Sequence, residues 1–157
     1  MSSLYAIVRV RGLAEVPPEV EDALRKLRLT RKYTAVIYPK NQSIDGMLKV
    51  VKEWVTWGEV DETTLKELLL KRGRCVGDKP LTEELIKERL GMSIDEFVKA
   101  LMDGRLQLHK LESLVKPVFR LHPPKGGFKR SIKKPLGSDG ELGYRGSDIN
   151  KLLLKMM

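Results

Sequence analysis

Cysteine, histidine and long apolar runs are all scarce in this chain, and each scarcity removes a class of function. The one cysteine, Cys75, excludes an intramolecular disulfide and any zinc site built from cysteines. The two histidines, His109 and His122, stand thirteen positions apart with no carboxylate or cysteine at ligand spacing, too few donors for a metal. Cys75 follows Arg72 and Arg74, which would favour a thiolate, yet no motif ties it to a histidine base. It reads as a small buried hydrophobe. No run of about 18 apolar residues is present, so no bilayer-spanning helix is expected. The first residues carry no basic stretch ahead of their apolar run and read as a strand rather than a signal peptide. The glycines of Pro124-Lys-Gly-Gly-Phe128 lack the spacing and the helix of a phosphate-binding P-loop. Glu83 and Glu84 sit where a helix's first turn favours acids, which explains the pair without catalysis. A soluble intracellular protein with no catalytic constellation is expected.

What the chain does have is positive charge. Its 157 residues include 30 Lys and Arg against 21 Asp and Glu, a formal net charge of +9. That balance points to a polyanion: RNA, DNA or an anionic membrane surface. The excess is unevenly spread. Residues 1–60 are net +3, residues 61–115 net −1 and residues 116–157 net +7. Between 116 and 134 there is no acid at all, while Lys116, Arg120, Lys125, Lys129, Arg130, Lys133 and Lys134 share the stretch with Pro117, Pro123, Pro124, Gly126 and Gly127. Such a segment cannot form a long helix, and its crowded charges repel unless a polyanion neutralises them. A basic loop that binds nucleic acid is expected there.

Periodicity gives an order of elements. Leu4 to Val10 alternate as a strand, with Leu4, Ala6, Val8 and Val10 on one face and Tyr5, Ile7 and Arg9 on the other. Pro17-Pro18 followed by Glu19, Glu21 and Asp22 opens a helix on Val20, Ala23, Leu24 and Leu27. Tyr33–Tyr38 is a second strand, Asn41 or Ser43 caps a helix on Ile44, Met47, Leu48 and Val51, and Trp54–Val60 is a third strand with Gly58 as a candidate bulge. The result is β-α-β-α-β in sixty residues, expected as a two-layer α+β sandwich. From 61 to 104 three short helices follow, ending at Gly73, Gly91 and Gly104, the third opened by a Ser93/Glu96 capping box. This nearly neutral block is expected to serve architecture. Val118–Leu121 is a further extended piece, and Ser147 or Asp148 caps a last helix striped by Ile149, Leu152, Leu153 and Met156. Docking of that helix would tether the basic tract as a loop.

Two stretches carry a family resemblance. In the first sixty residues, the strand ending in Val8-Arg9, the helix ending in Leu27-Arg28-Leu29 and the run Ile44-Asp-Gly-Met-Leu-Lys-Val-Val51 resemble the large-subunit ribosomal proteins called "L thirty" in bacteria. Pro117-Val-Phe-Arg-Leu-His-Pro-Pro-Lys-Gly-Gly-Phe128 and Gly143-Tyr-Arg-Gly-Ser-Asp-Ile-Asn-Lys-Leu-Leu153 are similar to the C-terminal signature of the longer archaeal members and of the eukaryotic "L seven" proteins. The resemblance spans essentially the whole chain and is of the archaeal length. It implies a ferredoxin-like core (1–60) with a three-stranded antiparallel sheet and two helices on one face. The remainder divides into a helical extension (61–115) and a basic loop with the C-terminal helix (116–157).

The same resemblance implies a structural, non-enzymatic constituent of the cytoplasmic large ribosomal subunit, without a cofactor. It would work as a single copy beside large-subunit rRNA and neighbouring ribosomal proteins, with 5S rRNA a further candidate partner. Asp45 departs from the family, where bacterial members often carry arginine, so no RNA contact is carried onto it. The candidate RNA-binding residues are Arg9, Arg11, Arg28, Arg31, Lys32, Arg120, Lys125, Lys129, Arg130, Lys133, Lys134, Tyr144 and Arg145. Tyr144 and Phe128, each beside a cation, can stack on bases or anchor their loops. Two other readings compete: a non-ribosomal RNA-binding module or ribosome assembly factor, and an acylphosphatase-like hydrolase pairing Arg11 with Asn41.

Overall fold

A computed structural model describes residues 4–12, 15–75, 77–112, 114–138 and 140–157. The elements run β1 (Leu4–Arg9), α1 (Pro18–Lys26), β2 (Thr34–Pro39), α2 (Gln42–Val51), β3 (Val55–Glu59), α3 (Glu62–Arg72), α4 (Glu83–Leu90), α5 (Ile94–Met102), β4 (Val118–Arg120), β5 (Ser131–Pro135), β6 (Gly140–Tyr144) and α6 (Ile149–Met156). All six strands join in one sheet, in the order β4-β2-β1-β3-β6-β5. The expected three-stranded antiparallel sheet is therefore corrected to a six-stranded mixed one. β1 pairs antiparallel with β2 and β3, β4 adds antiparallel to β2, and β6 adds parallel to β3.

The two-layer expectation is also corrected. Helices α1 and α2 cover one face, where Tyr5, Ile7, Val36, Tyr38 and Val55 meet Leu24, Leu27, Leu48 and Val51. Helices α3, α4, α5 and α6 cover the other, where Leu4, Ala6, Val8, Ala35 and Ile37 meet Leu65, Phe97, Leu101 and Leu153. Strands apolar at every position, such as Leu4–Val8 and Ala35–Tyr38, need both faces dry, and only a three-layer arrangement supplies that. No helix among the described residues is long and apolar enough to cross a membrane.

Local chemistry sets the helix ends. Asn41, Asp61, Thr82 and Ser93 each accept a hydrogen bond from a first-turn backbone N–H, and Ser93 with Glu96 closes a capping box. Asp148 makes no such cap; a 3-10 turn, Gly146–Asp148, leads into α6 instead. The basic tract is not one continuous loop. Its second half forms β5, an edge strand whose Lys133, Lys134 and Pro135 discourage further pairing. Its first half is pinned along α6, with the His122 N–H bonded to the Met156 carbonyl (2.9 Å) and the Lys125 N–H to the Lys155 carbonyl (3.0 Å).

Gly58 is not a bulge. It holds regular register opposite Ala6, and a Cβ there would run into the Gly146 carbonyl. The C-terminal motif is the latch that makes this approach. The Arg145 N–H bonds the Trp57 carbonyl (2.8 Å), and Asn150 Nδ2 donates to the Glu59 carbonyl (3.1 Å) while its Oδ1 accepts from the Asp61 N–H (2.9 Å).

Candidate nucleic-acid interface

A cleft of about 570 Å3 lies beside the β2–β4 edge. Arg25 and Arg28 reach it from the end of α1, and Arg31 from the turn that follows. Arg72 and Arg74 come from the end of α3, and Lys116 and Arg120 from the chain entering and leaving β4. Seven cations thus face two carboxylates, Asp78 and Glu112. Both carboxylates are already paired, Glu112 with Arg28 and Asp78 with Lys116 at 3.3 Å. Lys116 in turn holds the Asp78 carboxyl below its usual range, with Arg120 and Arg74 acting in the same direction.

The remaining cations differ in how far the protein itself uses them. Arg25 is tied to Asp22 at 3.0 Å and Arg72 donates to the Met157 carbonyl at 3.1 Å. No side-chain hydrogen bond or ion pair joins Arg31, Arg74 or Arg120 to any other described residue. Guanidinium forks held close together and left unpaired suit phosphate, which they can bond bidentately. The cleft crosses the divisions drawn along the sequence. The Cys75↔Val115 bridge and the Lys116 N–H bonded to the Arg74 carbonyl (2.8 Å) join the end of α3 to the start of β4.

Backbone strain supports one wall. Arg28, just past α1, has φ 66, and Tyr33 has φ 64, a region that favours glycine. The Leu29 N–H bonds the Leu24 carbonyl at 2.8 Å and the Tyr33 N–H bonds the Arg9 carbonyl at 2.7 Å, which closes the turn carrying Arg28 and Arg31. Lys32 lies over the Tyr33 ring at 4.9 Å, and that ring stacks on Phe128 at 6.4 Å, so Phe128 anchors its loop.

A second basic region lies along α6. Lys129 and Arg130 join Lys151 and Lys155 around a hollow of about 240 Å3, with Lys125 exposed beside them. Lys133 and Lys134 project from β5.

Two of the expected site residues are turned inward. Arg9 is only 2% exposed, and its guanidinium donates to the carbonyls of Leu29 (2.8 Å), Arg11 (2.9 Å) and Gly12 (3.0 Å). Arg145 has a side chain only 10% exposed, bonded to Thr56 Oγ1 (2.7 Å) and to the carbonyl (2.7 Å) and carboxylate (2.9 Å) of Glu141. Both guanidinia are consumed by the protein. Arg11 is held over the Trp54 ring at 4.2 Å and donates to the Glu53 carbonyl, while Asn41 Oδ1 caps α2; no hydrolase-like pair is assembled. Tyr144 is 52% exposed, with its hydroxyl on Glu59. The structure brings Arg28, Arg31 and Arg120 together at the cleft, a juxtaposition the sequence leaves open. Arg25, Arg72, Arg74 and Lys116 lie outside the expected set; nothing local in sequence shows that the end of α3, with Arg72 and Arg74, meets Lys116 before β4, whereas Arg25 ends α1 and could have been read with Arg28. Lys151 and Lys155 lie on the exposed side of the α6 stripe and could have been read from it.

Fold and clefts define a small basic α+β protein with a cluster of arginines at one cleft. Comparison with known proteins gives the family. The model for "Ribosomal protein L30p/L7e" matches residues 5–55. The chain is 53% identical over 163 residues to the "Large ribosomal subunit protein uL30" of Staphylothermus marinus, covering all of both chains. It is 54% identical over 159 residues to that of Aeropyrum pernix, covering 98% of this chain and 99% of the other. For Sulfurisphaera tokodaii the identity is 43% over the whole of both. The chain belongs to the L30p/L7e family of ribosomal proteins. It is of the archaeal type and is a ribosomal structural protein rather than an enzyme.

Proposed function

We propose that this protein is a structural constituent of the cytoplasmic large ribosomal subunit that holds large-subunit rRNA by its phosphate backbone, chiefly in the arginine cleft beside β4. The observation that carries this reading is the cluster of Arg31, Arg74 and Arg120 at one cleft, unpaired by any described residue. An isolated fold gains nothing from crowding such charges, whereas RNA phosphates release counterions when they meet them. The cations along α6, with Lys125, Lys129, Arg130, Lys133 and Lys134, form a second backbone contact. Arg28 belongs to the first, and Arg11 and Lys32 are further candidate contacts. Neighbouring ribosomal proteins, and 5S rRNA where it lies within reach, are the remaining partners. Sedimentation of ribosomes across a salt series tests the reading. The protein should travel with the large subunit at low salt and leave it steeply as salt rises. A protein found mainly off the ribosome at low salt, or bound without salt dependence, would refute it.

A further inference from the structure

Beyond α2 the flank of the sheet's α1/α2 face is only partly covered: Leu142 is buried, but the ring of Trp57 is half-buried and that of Tyr144 exposed. Two helices, each about 10 Å across, cannot cover six strands spaced about 4.8 Å apart. Strand alternation puts Trp57, opposite Ile7, on the α1/α2 face, and parallel register sets Tyr144 directly beside Trp57. The rings lie 6.2 Å apart at 52°. Two adjoining hollows of about 420 and 320 Å3 open over them, sharing Lys52, Trp57 and Tyr144.

We infer that Trp57 and Tyr144 form a stacking shelf for an unpaired nucleobase of the bound RNA, a contact of different chemistry from the arginine cleft, which lies beside β4 at the far edge of the sheet; this rests on the RNA-binding reading above. The shelf is preorganised. The Tyr144 hydroxyl donates to Glu59, so the ring is fixed before a base arrives and little rotamer freedom is lost. Gly143, at φ +98 with open space where a Cβ would stand, leaves room beside the ring. The charge around the shelf suits a nucleotide better than an apolar protein side chain. Lys49, Lys52 and Lys133 rim the hollows, at reach of the phosphates that flank a stacked base. Of the acids nearby, Glu59 is matched by Lys40 at 3.0 Å, Asp45 accepts the Tyr5 hydroxyl at 3.1 Å, and Glu53 lines the second hollow, where Lys52 and Lys133 outnumber it.

The chain has two tryptophans, and Trp54 is buried, so Trp54→Phe leaves Trp57 as the only reporter. In the full-length Trp54→Phe protein, a short oligoadenylate should quench the Trp57 emission. It should also bind more tightly than an abasic ribose-phosphate chain of the same length, by roughly five- to 150-fold, the range for one stacked base. Tyr144→Ala should erase most of that preference without changing the salt slope, and Tyr144→Phe should keep it. Should Tyr144→Ala fail to fold, the oligoadenylate and abasic comparison on the intact ring decides. Equal binding of the two chains with no quenching, while salt-dependent binding persists, overturns the shelf and leaves the RNA reading standing. So does an unaltered affinity of Tyr144→Ala for rRNA coupled with poor incorporation into the subunit, which would make the flank a protein contact. Loss of both chains' binding at low salt would instead overturn the RNA reading.

Discussion

Replacing Arg31, Arg74 and Arg120 together by Gln separates binding from folding more cleanly than any other change in the protein. None of the three side chains bonds a described residue, so their removal leaves no buried partner unsatisfied. Surface substitutions of this kind stay within about 0.5 kcal/mol each. Loss of mutual repulsion and loss of the attraction of Arg74 and Arg120 to Asp78 oppose each other, so the melting temperature should hardly change. Binding behaves oppositely. Each phosphate contact contributes roughly 0.7 to 0.9 to the slope of log affinity against log salt, so three contacts should flatten it by about 2 to 3 units. A fourfold rise in salt should then narrow the affinity gap between the wild type and the variant by roughly 20- to 40-fold. Filter binding or fluorescence anisotropy with an rRNA fragment across a salt series reads the slope, and thermal denaturation monitors the fold. An unchanged slope in a folded variant would show that the cleft meets no phosphate. A loss of several kcal/mol of stability would show that these arginines are structural.

Arg9→Met should do the reverse, destabilising the fold by about 3 kcal/mol or more, because three carbonyls lose their donor; urea denaturation measures this, and a neutral result would refute the buried role. Gly58→Ala forces a Cβ against the Gly146 carbonyl and should cost about 1–3 kcal/mol, with hydrogen exchange rising at the β3–β6 joint; unaltered exchange there would show that the latch is slack. His109 packs against Tyr38 at 5.3 Å with its Nδ1 buried and unbonded, and burial first, then Lys110 and Arg28, depress its pKa. The unfolded chain therefore takes up this proton first as pH falls below about 6.5. Stability should be full above that pH and decline below it, and His109→Gln should flatten this part of the profile in denaturation curves; an identical profile in the variant would assign the acid sensitivity elsewhere.

The first five elements are legible because their signals are local: alternation in Leu4–Val10, helical spacing in Val20–Leu27, and caps at Asn41, Thr82 and Ser93. β5 and β6 are not legible, since a stretch rich in lysine and glycine has weak strand preference. β6 becomes a strand by pairing with β3 some 85 residues earlier, as the Tyr144–Glu59 separation shows. The third layer was visible in principle, because Leu4–Val8 and Ala35–Tyr38 are apolar on both faces. The same signal separates buried from exposed arginine. Arg9 alternates with Tyr5 and Ile7 and so points into the sheet's covered face, whereas net charge alone places it among the RNA contacts. Arg145 gives no such sign; only the fold brings it between Thr56 and Glu141. The cleft is half legible for a similar reason. Arg28 and Arg31 follow a helix end, but Arg72, Arg74 and Lys116 join them through a bridge between distant residues.

Arg9 still bears on binding, at one remove. A non-glycine residue just past a helix in the left-handed region costs about 1–2 kcal/mol, and Arg28 and Tyr33 both adopt that conformation at the two ends of one turn. Something must hold the turn against that cost. The Arg9 guanidinium bonds the Leu29 carbonyl at 2.8 Å while its own carbonyl accepts the Tyr33 N–H at 2.7 Å, so a single residue of β1 grips both ends. Leu29, fully buried, anchors the first end. Glycine at position 28 would relax the turn but would remove the side chain that pairs with Glu112 and faces the cleft. Strain at Arg28 is therefore retained together with its charge, and the buried cation of β1 aims the half-buried cation at 28 and the exposed one at 31. The strand that supplies the centre of the sheet also fixes the wall of the cleft.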